Sequence, residues 1–552
     1  MHSRLRKFIL LAVLLPAFSL CPSGFGHPFF KGQKRDGDII TYIHSAWHTL
    51  RRSMDDCSAF ADVKLGSGTA PVLYIPAGDS VKQSSENYAK KCGIKVVSLP
   101  RKITRLGEIS PDKLPVPGLL YLPNAYVVPG GRFNEMYGWD SYFILRGLLE
   151  EGDRVTARGM VENFFFEIEN YGAILNANRT YYLTRSQPPL LTSMILAVYE
   201  ADTKAGKADS QWLEKAYGYA KRDHKLWTTA PKLDTKTQLS RYFDVGNGPV
   251  PEVADHPDDY ISVADWIVKH PQSGADYIAK SNTDSSAAGP EIQVPRCGTA
   301  ACPNSRKVRL TSDYYKGDRA MRESGFDITF RFGPFGGRTH HFAPVCLNSL
   351  LYKEEVDLET MARQLGHTQE AKDWHWESTL RRSLVTRYLW NIRAGLFTDL
   401  DLEQHKASDY HYAATFYPLW SGLATAQQAK TVMGNLKMFE QPGGIAMSDR
   451  ESGVQWDKPY GWAPIQMLAV EGMRRYGFNQ DADRISKEFL SMVKENFQRD
   501  KTIREKYNVV RRTTEVDVSA GYSANVIGFG WTNGTYLVLL HELPKNQQAG
   551  LE

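Results

Sequence analysis

Residues 129–142 read Pro-Gly-Gly-Arg-Phe-Asn-Glu-Met-Tyr-Gly-Trp-Asp-Ser-Tyr. The paired glycines let the backbone turn sharply and come close to a ligand. Behind them stand Arg132, Phe133, Trp139 and Asp140 with a further carboxylate and two tyrosines. A sugar asks for this mixture, because its C–H face packs on an aromatic ring while its hydroxyls need charged or amide partners. The same residues could also be a glycine turn that opens an amphipathic helix.

Further polar clusters follow. Asn176 to Pro189 carries Arg185, Ser186 and Gln187 ahead of Pro188-Pro189, where the prolines preset a helix start. Residues 323–334 set Asp327 among Phe326, Ile328, Phe330 and Phe332. A carboxyl in apolar surroundings keeps its proton to higher pH, as a general acid must, although an aspartate capping a turn has the same appearance. Gln455-Trp-Asp-Lys-Pro-Tyr-Gly-Trp repeats the Trp-Asp pair at Trp456-Asp457, and Arg504-Glu505-Lys506 places one carboxylate between two cations. Unaided, Glu505 reads as a surface charge network. Gly528-Phe-Gly-Trp-Thr-Asn-Gly534 has the wrong glycine spacing and no βαβ context for a nucleotide loop.

Helices must carry these loops. Apolar residues recur at helical spacing over about 38–52, 139–151, 155–170, 188–204, 209–227, 345–365, 369–390, 410–436, 459–476, 480–498 and 531–541. Leu347, Leu350, Leu351, Leu358, Met361, Ala362 and Leu365 form one face, with Gly366 as the C-cap; Trp374, Leu380, Leu384 and Tyr388 mark the next helix. Alternating strands are scarce, so the fold class is all-α, with site residues on interhelical loops. Residues 64–120 read as a loop-rich collar, and 228–344 as the longest irregular stretch, which in a compact domain is usually functional.

The chain has 552 residues, 42% hydrophobic and 12% aromatic, with 67 basic and 62 acidic side chains. That balance, without basic runs, excludes a nucleic-acid binder. Arg4, Arg6 and Lys7 precede the apolar run Phe8–Leu20, the pattern of a signal peptide cleaved after Gly26, and the expectation is an exported, periplasmic or secreted protein with no membrane span. Cys21 lies in that segment; of the other cysteines, Cys57/Cys92 and Cys297/Cys302 are the preferred pairs and Cys346 a buried free thiol. No paired CxxC suggests zinc. His340-His341 is a possible metal fragment, though such a pair is more often hydrogen-bonded in a loop.

Together the stretches resemble the trehalases of the inverting glycoside hydrolase family 37. Both signatures, PGGRFxExYxWDxY at 129–142 and QWDxPxGWxP at 455–464, are present with RSQPP, ESGxD, EKY and GFGWTNG in the family's order, across roughly residues 38–542. The resemblance implies an (α/α)6 barrel spanning 27–552 as one catalytic domain, with the collar at about 27–125. It implies cleavage of α,α-trehalose to two glucose molecules by a monomer without metal or organic cofactor. It makes Asp327 the general acid and Glu505 the general base, which inversion requires about 6.5–9.5 Å apart. Arg132, Phe133, Trp139, Asp140, Asn176, Arg185, Ser186, Gln187, Pro251, Glu252, Gly325, Trp456 and Asp457 become substrate-binding. Two departures stand out. Val250 occupies the place of the arginine in an Arg-Pro-Glu segment, and the glycine-run lid is replaced by Val509–Ala520, so that Tyr522 falls where a substrate-binding glutamate belongs. Arg511 or Arg512 could restore the missing charge, and Glu515 the carboxylate if the loop is re-threaded. The departures also leave room for another α-glucoside, a substituted trehalose, or a trehalose-binding protein without turnover.

Overall fold

The computed structural model describes residues 38–552 except 63–69, 79–81, 254–257, 281–283, 295–305 and 522–523. Among the described residues, six helices pack each on the next and the last on the first: Asp140–Glu150, Leu191–Lys204, Val345–Leu365, Tyr417–Ser421, Ala463–Arg475 and Gly530–Glu542. Alternating with them along the chain are Ile39–Leu50, Arg154–Asn170, Ser210–Trp227, Thr368–Leu389, Ala426–Gly434 and Asn479–Asp500. This is an (α/α)6 barrel, as expected.

Patterning separates the two rings. Gly530 through Leu540 are all buried, because an inner helix meets protein on every side and needs no polar face. Asn479–Asp500, by contrast, buries one stripe through Ile485, Phe489, Met492, Val493 and Phe497. Helix Thr368–Leu389 departs from the expected stripe: Ala371, Ser378, Arg381, Val385 and Leu389 are buried, while Leu380 is exposed and Trp374, Leu384 and Tyr388 are half-buried. Trp374, Leu384 and Tyr388 still pack against the core, but the buried line also holds a charge, since Arg381 Nε donates to Glu355 at 2.6 Å.

Three other expectations change. The collar contains a parallel sheet in which Val72–Ile75 is flanked by Lys95–Ser98 and Leu119–Leu120, with helix Lys82–Cys92 as the crossover. The 410–436 region breaks into short helical pieces at Gly422, whose φ is 78°. The irregular stretch holds helices Asp258–Lys269 and Ser312–Glu323. The latter buries Asp318, Arg319, Arg322 and Glu323 together with Tyr314, Tyr315 and Met321, so charges interrupt its apolar pattern. Cys57–Cys92 is a disulfide and Cys346 a buried free thiol; Cys297, Cys302 and the segment 1–26 lie outside the described residues. No described helix is long and apolar enough to cross a membrane.

The ring closes where two inner helices touch through glycine. A Cβ on Gly534 would stand 2.1 Å from the Phe143 carbonyl oxygen, and one on Gly147 would stand 2.5 Å from Gly534 Cα. Backbone cannot yield as a side chain tip can, so Gly534→Ala is expected to destabilise the fold by about 3 kcal/mol. The urea midpoint measures this; an unchanged midpoint would mean that the helices separate freely at this seam.

Candidate active site

Asp327 follows the helix Ser312–Glu323 through a turn at Gly325, whose φ is 77°. That glycine is required twice over, since a Cβ would also stand 2.8 Å from the Trp139 ring. Glu323, at the helix end, is fully buried and bound by Lys232 Nζ at 2.6 Å, Ser186 N at 3.0 Å and Phe243 N at 2.6 Å. It therefore fixes the 185–187 loop beside the acid-bearing turn. Glu505 is fixed by its backbone: its N–H donates to Val526 O at 3.0 Å, and its carbonyl accepts from Trp531 Nε1 at 3.0 Å.

The two carboxyls share one polar chamber. Asp140, buried, feels the charges of both Glu505 and Asp327, and burial holds its carboxyl well above the usual range. Burial also pushes Asp327 up to about 7, against the opposing charges of Arg322 and Arg185. Its side chain is 26% accessible, with Arg322 Nη1 3.9 Å from Oδ2. Protein thus surrounds the carboxyl while water, or a ligand, reaches it. Lys506 is fully buried with Nζ 3.5 Å from Glu505 Oε2; burial pulls its ammonium below the usual range, and Glu505 opposes that. Gln455 links the halves, donating from Nε2 to the Asp327 carbonyl and accepting from Lys506 Nζ at 2.7 Å.

A second buried ionic group borders Asp327. Arg185 pairs with Glu252 and stands 3.9 Å from Asp244, which Arg319 holds at 2.8 Å. Burial acts to raise the Glu252 pKa, but Arg185 and then Arg322 outweigh it and hold the carboxyl below its ordinary value. One oxygen of Glu252 and two nitrogens of Arg185 have no hydrogen-bond partner. Buried polar atoms left so are costly unless a ligand meets them.

The other expected residues divide. Trp139 packs against Phe143, Phe326, Trp456 and Trp531, and its backbone N–H donates to Gln187 Oε1 at 2.9 Å. Arg132 lies over Phe133 at 5.0 Å, with its Nε buried and unpartnered. Asn176 is buried and joins the 138 and 185 loops through its backbone, while Pro251 opens the turn Pro251–Val253 that presents Glu252. Three residues serve the scaffold instead of the chamber. Ser186 Oγ donates to Ile174 O at 2.6 Å. Trp456 stacks on Trp462 at 3.8 Å. Asp457 accepts from Thr329 Oγ1, Phe330 N and Ser452 Oγ. Tyr522 lies outside the described residues.

The lid arginines do not restore the charge missing at 250. Arg511 is exposed, and Arg512 binds Pro442 O, Ser491 and Glu495; Glu515 is exposed as well. Val250 is buried in an apolar cluster, and Arg322, on another element, acts on both Asp327 and Glu252. Arg322, Gln455, Lys506 and Asp244 were not among the expected site residues. Their signal was slight: one charge in a charged helix, and neighbours of better-marked residues.

The family model for Trehalase matches residues 39–544. The cytosolic neutral trehalase of Saccharomyces cerevisiae is 33% identical over all of this chain and 78% of its own. That of Neurospora crassa is 35% identical over 89% of this chain and 71% of its own. The solved structure of neutral trehalase Nth1 from Saccharomyces cerevisiae superposes with a TM-score of 0.75 at 31% identity, covering 93% of this chain and 96% of that one. One expectation falls here. The basic and apolar N-terminus suggests export, but these relatives bear the name of cytosolic enzymes, and the exported assignment is withdrawn. A barrel of this form, matched by the family model along nearly its whole length, leaves one assignment: the chain belongs to the trehalase family.

Proposed function

We propose that this chain hydrolyses α,α-trehalose to two glucose molecules with inversion, Asp327 acting as general acid and Glu505 as general base. The observation that carries the reading is the unlike surroundings of the two carboxyls. Asp327 holds its proton up to about pH 7, whereas Glu505 lies beside the buried Lys506 ammonium. Inversion needs one carboxylic acid and one carboxylate. Asp327 gives its proton to the bridging oxygen as the C1–O bond breaks. Glu505 takes a proton from the water that attacks C1 from the opposite face. One sugar leaves as the α-anomer and the other forms as the β-anomer; solvent then returns the proton from Glu505 to Asp327.

Arg185, Glu252 and Arg322 are read as the hydroxyl-binding group beside the acid, with Arg132, Asp140, Asn176 and Gln187 completing the polar wall and Trp139, Phe133 and Gly325 its shape. Every group in this reading comes from the single domain proposed for 27–552, so one chain suffices. The neutral-trehalase names of the relatives favour trehalose over another α-glucoside.

Asp327→Asn and Glu505→Gln are each expected to lower kcat at least 1000-fold, and proton NMR of the wild-type reaction to show α- and β-glucose appearing in equal amounts. Appearance of α-glucose alone would sink the inverting assignment.

Since the acid must be protonated, kcat/KM is expected to fall as pH rises through about 7. Arg322 favours the ionised form of Asp327, so Arg322→Gln should move that limb to higher pH while lowering kcat/KM about 100-fold. A limb that stays in place would separate Arg322 from the acid.

Raising a carboxyl pKa on folding favours the folded state below the unfolded value of 3.8, and that advantage is lost as pH rises to about 7. Asp327→Asn should therefore raise the unfolding temperature at pH 8 and not at pH 3.5. Equal shifts at both pH values would contradict the assigned state of Asp327.

A further inference from the structure

Helix Ser312–Glu323, which leads to Asp327, begins at the surface with Asp313 on its first turn. The loop after Asp327 returns to the same place through the turn Thr339–His341. There the donor atoms of Asp313, His340 and His341 converge. Asp313 Oδ1 is 3.0 Å from His340 Nε2 and 3.1 Å from His341 Nε2, and all three donors lie within 4.8 Å of one another.

We infer that Asp313, His340 and His341 form a zinc site, separate from the carbohydrate chamber, that clips the two ends of the Asp327-bearing segment. Bonds of about 2.0–2.2 Å at tetrahedral angles put ligand atoms about 3.3 Å apart. Two of the three separations here are within a few tenths of an ångström of that spacing. Two imidazoles and one carboxylate suit zinc, whereas calcium and magnesium ask for oxygen alone. His341 also has the outer partner expected of a zinc-bound imidazole, since its Nδ1 stands 3.3 Å from Glu403 Oε1. Arg338 and Arg241 are the nearby cations. Arg338 is matched by Asp401 and Glu403, and Arg241 donates to the His340 carbonyl, so carboxylates outnumber guanidiniums around the site.

The donors are held before any ion arrives. His340 is buried, with its ring 3.8 Å from that of His341. Thr339 Oγ1 donates to Gly336 O at 2.7 Å, and Leu402 N donates to the His341 carbonyl at 2.8 Å. Asp313, with 53% of its side chain exposed, gives an entry path and leaves the fourth position to water. A bond from Asp313 to His340 spans 27 residues of sequence, including Arg322, Asp327 and Arg331. Bound zinc would thus stiffen the segment that carries the acid while taking no part in the chemistry.

The test uses the full chain without a polyhistidine tag, stripped with chelator and titrated with zinc chloride by calorimetry. Cobalt is then added to read ligand geometry from its visible spectrum. One zinc per chain is expected, with a tetrahedral cobalt band and a zinc-dependent rise in unfolding temperature. His341→Asn and Asp313→Asn, both at solvent-reached positions, should each weaken binding at least 100-fold, and Glu403→Gln about 10-fold, in chains that still unfold cooperatively. Magnesium and calcium should give no heat. Absence of saturable zinc uptake by the folded wild-type chain, or uptake with equal affinity in both ligand variants, would overturn the site.

Discussion

The structure is governed by the cost of removing charge from water at the mouth of a helical ring. A carbohydrate site needs charged hydrogen-bonding groups, yet an (α/α)6 barrel surrounds them with helices, and an isolated buried charge is strongly unfavourable. This chain meets the constraint by pairing. Asp318, Arg319, Arg322 and Glu323 sit on one buried helix face and join Asp244, Lys232 and Tyr260. Arg331 clamps Asp399 with two bonds of 2.7 and 2.6 Å, and Asp399 also accepts the N–H of Val345 at the start of an inner helix. Near Asp327, Arg185 and Glu252 are left incompletely paired.

The same constraint separates the two carboxyls. Asp327 is deep but has Arg322 only at 3.9 Å, so burial prevails and the proton stays. Glu505 stands against an ammonium that is itself buried. Lys506 is registered opposite Trp462 by the short pairing of Tyr460–Trp462 with Lys506–Asn508, and Gln455 ties that ammonium to the backbone of Asp327. A few hydrogen bonds thus tie the surroundings of the two candidate carboxyls together. Aromatic packing behind them, from Trp139 through Trp456 to Trp462 and Trp531, keeps the wall rigid.

Val250 shows how a site can change its parts and keep its charge. Residue 250 is valine, and Arg322 on the 312–323 helix is a cation that acts on both Asp327 and Glu252. Linear sequence suggested Arg511 and Arg512 because they lie near the altered lid. Arg512 turns away to Glu495, Ser491 and Pro442, which its own neighbourhood offers.

By itself the sequence determined the helical class, most helix boundaries, the loops that carry the site, and Asp327 and Glu505 as the pair to consider. Periodicity and glycine–proline punctuation are local properties, and short motifs keep their residues together wherever the chain goes. Tertiary structure decided the rest. It showed that Trp456, Asp457 and Ser186 spend their side chains on the scaffold, that Arg322, Gln455 and Lys506 face the chamber, and that Ser312–Glu323 is a helix whose buried face is charged. It also brought Asp313 to His340 and His341 across the acid-bearing segment. The physical reason is the same in each case: a polar side chain carries no mark of its partner, and whether it meets a sugar, a metal or another side chain is settled only when distant segments pack.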